Sequence, residues 1–488
     1  GTPEWGKYPD SPANSDVIPA DLPQMFDSAW VCLSSSDPCI VRPEAKRWLT
    51  MVLTKTNDGR CLGAAITAQR FFARLDQPPL FQTNIQNTYE LLLGNARRNI
   101  VYYHVQQWTP DISSSTNFQF GQDLSSTINH IRQGLAGERT QIPTIAIAPR
   151  ASGAAATMGH AVTPYALTDR GNGRFIIDVY DNADPGKTGN FLEINTQMNE
   201  WIYTHNLAIS GDWSGTKDTI VAIPNDLFKA PGSRLICPWC SDTSRQIDFA
   251  GIGSFYISDA QNKKTGMVNG EILREIPGIM ASPTFAGPTT PSEPVYQLPS
   301  NNDYILHIRG NDLQASDIQP SSLIQYSLNH VAEVSNIVVS PATDDTVQIA
   351  PDSSTISYHA NSKRELTLRL MGTYQSIGYT IEIIGADVAA NQSIELRTED
   401  GRLAFSEANA NGGIYDVRII RDAPQGTSSL ILRSVAIAGG DTQYIDYGAW
   451  NGGGAVTFST DKNSDGLIDV SEQRYSQTYQ IYVPLGTR

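Results

Sequence analysis

The chain has 488 residues, too many for a single hydrophobic core, so two or three domains are expected. Acidic residues outnumber basic ones 50 to 35, a net charge of −15 that argues against nucleic-acid binding. No run of about eighteen apolar residues occurs, so no membrane-spanning helix is expected, and a charged fraction of only 17% with plentiful Ser, Thr, Asn and Gly suits a soluble extracellular protein.

Residues 1–44 are rich in Pro, Asp and Ser with little periodicity and read as an extended N-terminal arm. The start at Gly1-Thr2-Pro3-Glu4, without methionine or an apolar signal core, reads as a processed terminus. Cys32 and Cys39 bracket a turn-rich hexapeptide that a local disulfide closes easily. From 45 to 240, helix-like stretches (61–75, 86–98, 121–136) precede strand-like ones (142–148, 160–168, 174–180). That order predicts an α+β domain, a helical half against a sheet half.

Cys61 opens the helical run Cys61-Leu62-Gly63-Ala64-Ala65-Ile66, directly after the turn residues Asn57, Asp58 and Gly59. A thiol in the first turn of a helix faces free backbone N–H groups and the positive end of the dipole, both of which favour the nucleophilic thiolate. Of five cysteines, Cys32 with Cys39 and Cys237 with Cys240 form close pairs that leave Cys61 alone. The Cys-x-x-Cys at 237–240 reads as a disulfide or two buried thiols, since no further zinc ligands follow at suitable spacing and no βαβ unit surrounds it.

A nucleophile needs a base. Among seven histidines, His160 stands out in Met158-Gly159-His160-Ala161-Val162, a small-residue stretch leading into a strand. After a turn at 169–173, the run Phe175-Ile176-Ile177-Asp178-Val179-Tyr180 ends at Asp181. A hairpin here puts His160 at the start of one strand and Asp181 at the end of its partner, where the carboxylate can hold the imidazole tautomer. Pro185-Gly186-Lys187-Thr188 is set aside as a phosphate loop because Asp181 stands where that pattern needs glycine.

Beyond 240 the helical signal ends. Residues 241–318 read as a small β module with a Pro-, Thr- and Ser-rich loop at 282–299, and 319–488 as a β-sandwich of alternating runs joined by short Gly/Asn/Asp turns. Tyr444, Tyr447 and Trp450 in that sandwich either contact glycan or pack across strands. Near the end, Asp461 to Glu472 fits the twelve-residue EF-hand loop: Asp461, Asn463 and Asp465 offer side-chain oxygens, Leu467 a carbonyl, Asp469 a direct or water-bridged ligand and Glu472 a bidentate carboxylate, with Gly466 at the sharp turn. The flanks 455–459 and 475–483 read as strands, so the expectation is a structural Ca²⁺ clip in a β-hairpin.

The segments Gly59-x-Cys61-x-Gly63, Gly159-His160-Ala161-Val162 and Tyr180-Asp181 resemble those of the papain-like cysteine peptidases, in particular secreted bacterial forms, over about residues 45–225. The family's order of Cys, His, then Asp or Asn is kept. The resemblance implies Cys61 as nucleophile, His160 as general acid and base, and Asp181 as orienting group, with Asn182 the alternative for that last role. It also implies an oxyanion-hole glutamine six positions before the cysteine; Lys55 stands there, which leaves Asn57 as the nearest amide candidate.

The resulting expectation is a secreted or cell-surface bacterial cysteine peptidase acting on protein or peptide, with β accessory domains and Ca²⁺ as its cofactor. Two alternatives accompany it: an inactive papain-like scaffold serving as a calcium-stabilised surface-binding or adhesive protein, and transglutaminase-like acyl transfer by the same triad.

Overall fold

The computed structural model describes residues 17–476, except 35–38, 86–89, 120–121, 149–156, 185, 206–211, 269–270, 312, 315–318 and 410. Strand residues outnumber helical ones about two to one. The expected second-flank strand at 475–483 lies mostly outside the described residues.

Helices come first in the chain. Pro43–Lys55 begins with proline at a position where its missing N–H costs nothing, and buries Trp48, Met51 and Val52. Cys61–Phe72, Leu93–His104, Pro110–Gln119 and Leu124–Ala136 follow. An antiparallel sheet comes next, in the spatial order Trp213–Thr216, Glu200–Thr204, Phe191–Asn195, Arg174–Tyr180, Thr157–Asp169, Thr144–Ile147, Ile220–Ile223. Helix Leu124–Ala136 lays Leu124, Ile128 and Ile131 on Ile145, Val162 and Ile177 of that sheet. The expected helices at 61–75 and 121–136 and the three expected strands fall on helices and strands with ends shifted by a few residues, whereas the one expected at 86–98 is displaced to Leu93–His104 and Pro110–Gln119 was not expected.

The remaining chain builds two large antiparallel sheets of nine and eleven strands that face each other across one continuous apolar core, as a sandwich does. The segments expected as a separate module at 241–318 are strands of these same sheets: Ser244–Ala250 pairs with Gln319–Ser327, and Ile305–Arg309 with Asp344–Ile349. Nor is 282–299 a loop. Val295–Pro299 is a ladder strand, and Gly287–Ser292 leaves the sandwich to pair with Thr157–Asp169 of the first sheet. Composition misled here because proline is compatible with a strand wherever its missing N–H is not needed in the ladder.

The described part of the N-terminal arm is not extended. Leu22–Met25 and Ser28–Val31 are short helices whose Leu22, Met25, Phe26 and Val31 are buried. Phe26 meets Trp48 edge-on at 5.1 Å and Trp239 at 5.3 Å. One apolar cluster runs from these residues through the helices to Tyr326, Val331 and Met371 of the sandwich. Arg47 adds a bond of 2.7 Å to the buried Glu333, and Lys46 one of 2.8 Å to Asp422. Helices Pro43–Lys55 and Cys61–Phe72 thus lie between the first sheet and the nine-stranded one, while Leu124–Ala136 covers the first sheet's other face. Tyr447 and Trp450 are in the sandwich core, and Tyr444 is half-buried beneath Arg402, so the packing alternative holds for these aromatics.

The cysteines pair as Cys32 with Cys39 and Cys237 with Cys240, leaving Cys61 free and buried.

Candidate active site

Cys61 is the first residue of its helix, set there by Gly59, whose φ of +144° suits only glycine. The hairpin joining Thr157–Asp169 to Arg174–Tyr180 pairs Thr163 with Tyr180. His160, three residues before one side of that pair, and Asp181, one after the other, are therefore brought together. His160 Nε2 lies 3.0 and 2.9 Å from the two carboxylate oxygens of Asp181. Tyr203 donates its hydroxyl to Asp181 Oδ2 at 2.5 Å, and the Ala183 N–H donates to Oδ1 at 2.7 Å. Trp213 closes the ring edge-on at 5.9 Å.

All three groups are dry. Burial alone would lower the His160 pKa, but the Asp181 charge and hydrogen bond outweigh it, and with the Cys61 thiol as a further contributor the imidazole is pushed up to about 10. Burial works against the Asp181 carboxylate too, yet His160, Tyr203 and Ala183 hold it below its ordinary range. The Tyr203 phenol is driven far above its usual value, first by burial and then by Asp181. His160 Nδ1 is buried with no hydrogen bond of acceptable geometry, while the neighbouring Cys61 still helps keep the ring protonated.

The other faces of Cys61 are occupied. Its thiol is oriented toward the Phe285 carbonyl at 3.1 Å and lies 3.6 Å from that of Gly159. Its backbone N–H donates to the Ala286 carbonyl at 3.1 Å. Cys61 is 2% exposed as a result.

The amide candidates divide differently. Asn57 is exposed on the turn Thr56–Asp58, away from the buried thiol. Lys55, at the position where the resemblance implies glutamine, is ion-paired with the fully buried Asp248 of the sandwich, so its charge serves a tether and not the nucleophile. Asn182 is buried beside Asp181, but among the described residues neither of its side-chain polar atoms has a hydrogen-bond partner; Asp181 alone holds the imidazole. Tyr203 and Gln107 went unread in the sequence. Tyr203 was within reach, since Trp201 and Tyr203 alternate inward on Glu200–Thr204; Gln107, whose Oε1 accepts the Phe285 N–H at 2.7 Å, carries no local signal.

At the other end, Asp461 closes strand Ala455–Asp461, and its carboxylate accepts the N–H groups of Asp465 at 3.1 Å and Gly466 at 2.9 Å. Asp465 Oδ1 accepts Leu467 N–H at 3.0 Å and Asp469 Oδ2 accepts Lys462 N–H at 2.7 Å. Asn463 and Gly466 take positive φ to make the turn. The partner strand is Val470–Tyr475, earlier than the expected 475–483, so Glu472 stands in the ladder opposite Phe458 and pairs with Arg474. The carboxylates of Asp461, Asp465 and Asp469 are thus engaged by N–H groups of the turn itself. Among the described residues, no three His, Cys, Asp or Glu side chains already converge as a metal cluster.

No protein-family model matches this chain, and neither a curated protein nor a solved structure matches it.

Proposed function

We propose that this chain is a cysteine peptidase with a papain-like catalytic part, acting on protein or peptide outside the cell. The observation that carries the reading is the buried imidazole of His160 held by the Asp181 carboxylate, with Cys61 near enough to add to the rise of its pKa. The thiolate of Cys61 attacks a peptide carbonyl carbon, forming the C–S bond. Cys61 N–H steadies the oxyanion. His160, protonated at neutral pH, gives its proton to the leaving amine as the C–N bond breaks. It then takes a proton from water, whose oxygen displaces sulfur from the thioester and releases the acid. Asp181, itself fixed by Tyr203 and Ala183, keeps Nε2 occupied, which leaves Nδ1 as the ring nitrogen free to exchange a proton. Hydrolysis of a mixed peptide pool, even if slow, that is lost in Cys61→Ala is the expected result; equal turnover by both removes Cys61 from the mechanism.

A second reading, a catalytically silent scaffold for surface attachment, draws on the 2% exposure of Cys61. Failure of iodoacetamide to label Cys61 in the native protein under every condition, with no peptide hydrolysed, favours it. In both readings Ca²⁺ is taken by Asp461, Asn463, Asp465, the Leu467 carbonyl and Asp469, and its chemistry is structural, pinning the hairpin. Glu472, engaged by Arg474 in the strand, is outside this set as the hairpin stands.

A further inference from the structure

We propose that Pro283–Gly287 is a tethered occupant of the polypeptide slot at Cys61, so that this form of the chain is latent and opens when the segment lifts. The inference deepens the peptidase reading and takes its regulatory meaning from it, although the occupancy is a separate, testable fact.

Three hydrogen bonds hold the segment at the site, and all use its main chain. Cys61 N–H donates to the Ala286 carbonyl at 3.1 Å, the thiol is oriented toward the Phe285 carbonyl at 3.1 Å, and Phe285 N–H donates to Gln107 Oε1 at 2.7 Å. Such contacts are blind to side-chain identity. They are the means by which an extended peptide is received beside a strand. Cys61 N–H, which stabilises the oxyanion in the peptidase mechanism, is spent on a carbonyl of the protein itself.

The walls of the slot are shaped to main-chain thickness. A Cβ on Gly59 would stand 2.2 Å from the Ala286 carbonyl oxygen, and one on Gly159 would stand 2.1 Å from that of Thr284. Gly59 belongs to the turn carrying the nucleophile and Gly159 precedes the base, so glycine lines both banks of the same channel. Downstream, Gly287 pairs with Gly159 and Pro291 with Met158, with a register break between them. Pro288 and Pro291 donate nothing to that ladder, which makes it poorer than the sheet it borders. Phe285, 1% exposed, is the apolar anchor. A well-anchored but weakly laddered strap fits an element that closes the slot and can be withdrawn, by a partner or by cutting the chain.

The test is alkylation of Cys61 by iodoacetamide in the intact, disulfide-bonded chain, read by mass spectrometry against the unfolding curve of each variant. In the parent, labelling is expected to run far below the rate of an unstructured cysteine peptide. Gln107→Leu and Phe285→Ala should each accelerate it about tenfold or more while the protein remains folded, because each removes a contact that holds the segment closed; Gln107 also contacts His104, so the folded state of that variant is checked by its unfolding curve. Gln107→Leu stands as the second arm if Phe285→Ala does not fold. Parent labelling as fast as the free peptide, or folded variants labelling no faster than the parent, overturns the proposal. Faster labelling without peptide hydrolysis keeps the strap and removes the peptidase; hydrolysis by the parent at the rate of the strap variants does the reverse.

Discussion

The Cys61–His160–Asp181 cluster and the loop of residues 461–472, the two sites proposed above, are built on opposite plans. Cys61, His160 and Asp181 come from distant parts of the chain and meet in a dry interior, whereas Asp461 to Asp469 are nearly consecutive and line an exposed turn on which Leu467 is 69% exposed. In the interior each charge is tolerated because another group answers it: Asp181 by His160, Tyr203 and a backbone N–H. On the turn the carboxylates are answered by the loop's own N–H groups and by water. The difference teaches where the energy sits. At the triad it lies in protein–protein pairing, and at the loop in whatever cation is bound.

The largest effect should come from leaving one interior charge unanswered. His160→Ala strands Asp181 beside Tyr203, and breaking a buried pair in this way costs about 3–5 kcal/mol. Urea unfolding of the variant and the parent measures it; a loss below about 1 kcal/mol would mean the pair is wetter than its burial implies.

The same pair sets a pH profile. Because the His160 pKa is raised in the folded state, from 6.5 to about 10, its contribution to stability is complete below about 6.5 and is lost as pH climbs through 10. Melting curves taken across that window should fall for the parent and flatten in Asp181→Asn. The carboxylate of Glu44 contributes in an earlier window. Burial, against the weaker effects of a backbone hydrogen bond and Arg42, raises its pKa to about 7, so its protonated form favours folding and some stability is given up between 4.5 and 7. Burial likewise raises Glu293 to about 8, so Glu44→Gln should reduce the early slope, Glu44→Gln with Glu293→Gln should remove most of it, and the His160 slope should remain.

The sequence indicated the positions of the residues at both sites better than it indicated their surroundings. His160 and Asp181 were legible because a tight turn at 169–173 makes a two-strand hairpin whose far ends lie side by side, although a bulge between Pro164 and Ala166 shifts the register by one before Thr163 meets Tyr180. Cys61 was legible from the glycine turn and the apolar helix after it. The strap was not, since its bonds to Cys61 and Gln107 are main-chain bonds across a separation of 224 residues in the case of the thiol, and backbone carbonyls leave no mark on composition. Its prolines pointed the other way, toward a loop. At the calcium turn the oxygens were legible and the second flank was not: Val470–Tyr475 is an edge strand exposed along most of its length, so it lacks the alternation by which strands are recognised.

Removing the cation should cost less than breaking the triad. With free Ca²⁺ at a hundred times its dissociation constant, binding to the folded state alone contributes about 2.7 kcal/mol, so chelation should lower the melting temperature by several degrees and Asp461→Asn should make the protein indifferent to chelator. A melting temperature unmoved by either Ca²⁺ or chelator removes the site.

The smallest effect expected is at Glu472, and it discriminates most sharply between two pictures of the loop. In a helix-flanked EF-hand the twelfth residue gives two oxygens and its loss is severe. Here Glu472 is in the ladder opposite Phe458, with Arg474 on its carboxylate and about half its side chain in water. Removal of one such exposed pair changes stability by no more than about 0.5 kcal/mol. Calorimetric titration of Glu472→Gln should therefore return nearly the parent's calcium affinity, while Asp465→Asn lowers it. A hundredfold loss in Glu472→Gln would show instead that calcium unzips the end of the hairpin and draws this strand residue into the loop, making the flanks of the site responsive to the ion and not a fixed frame for it.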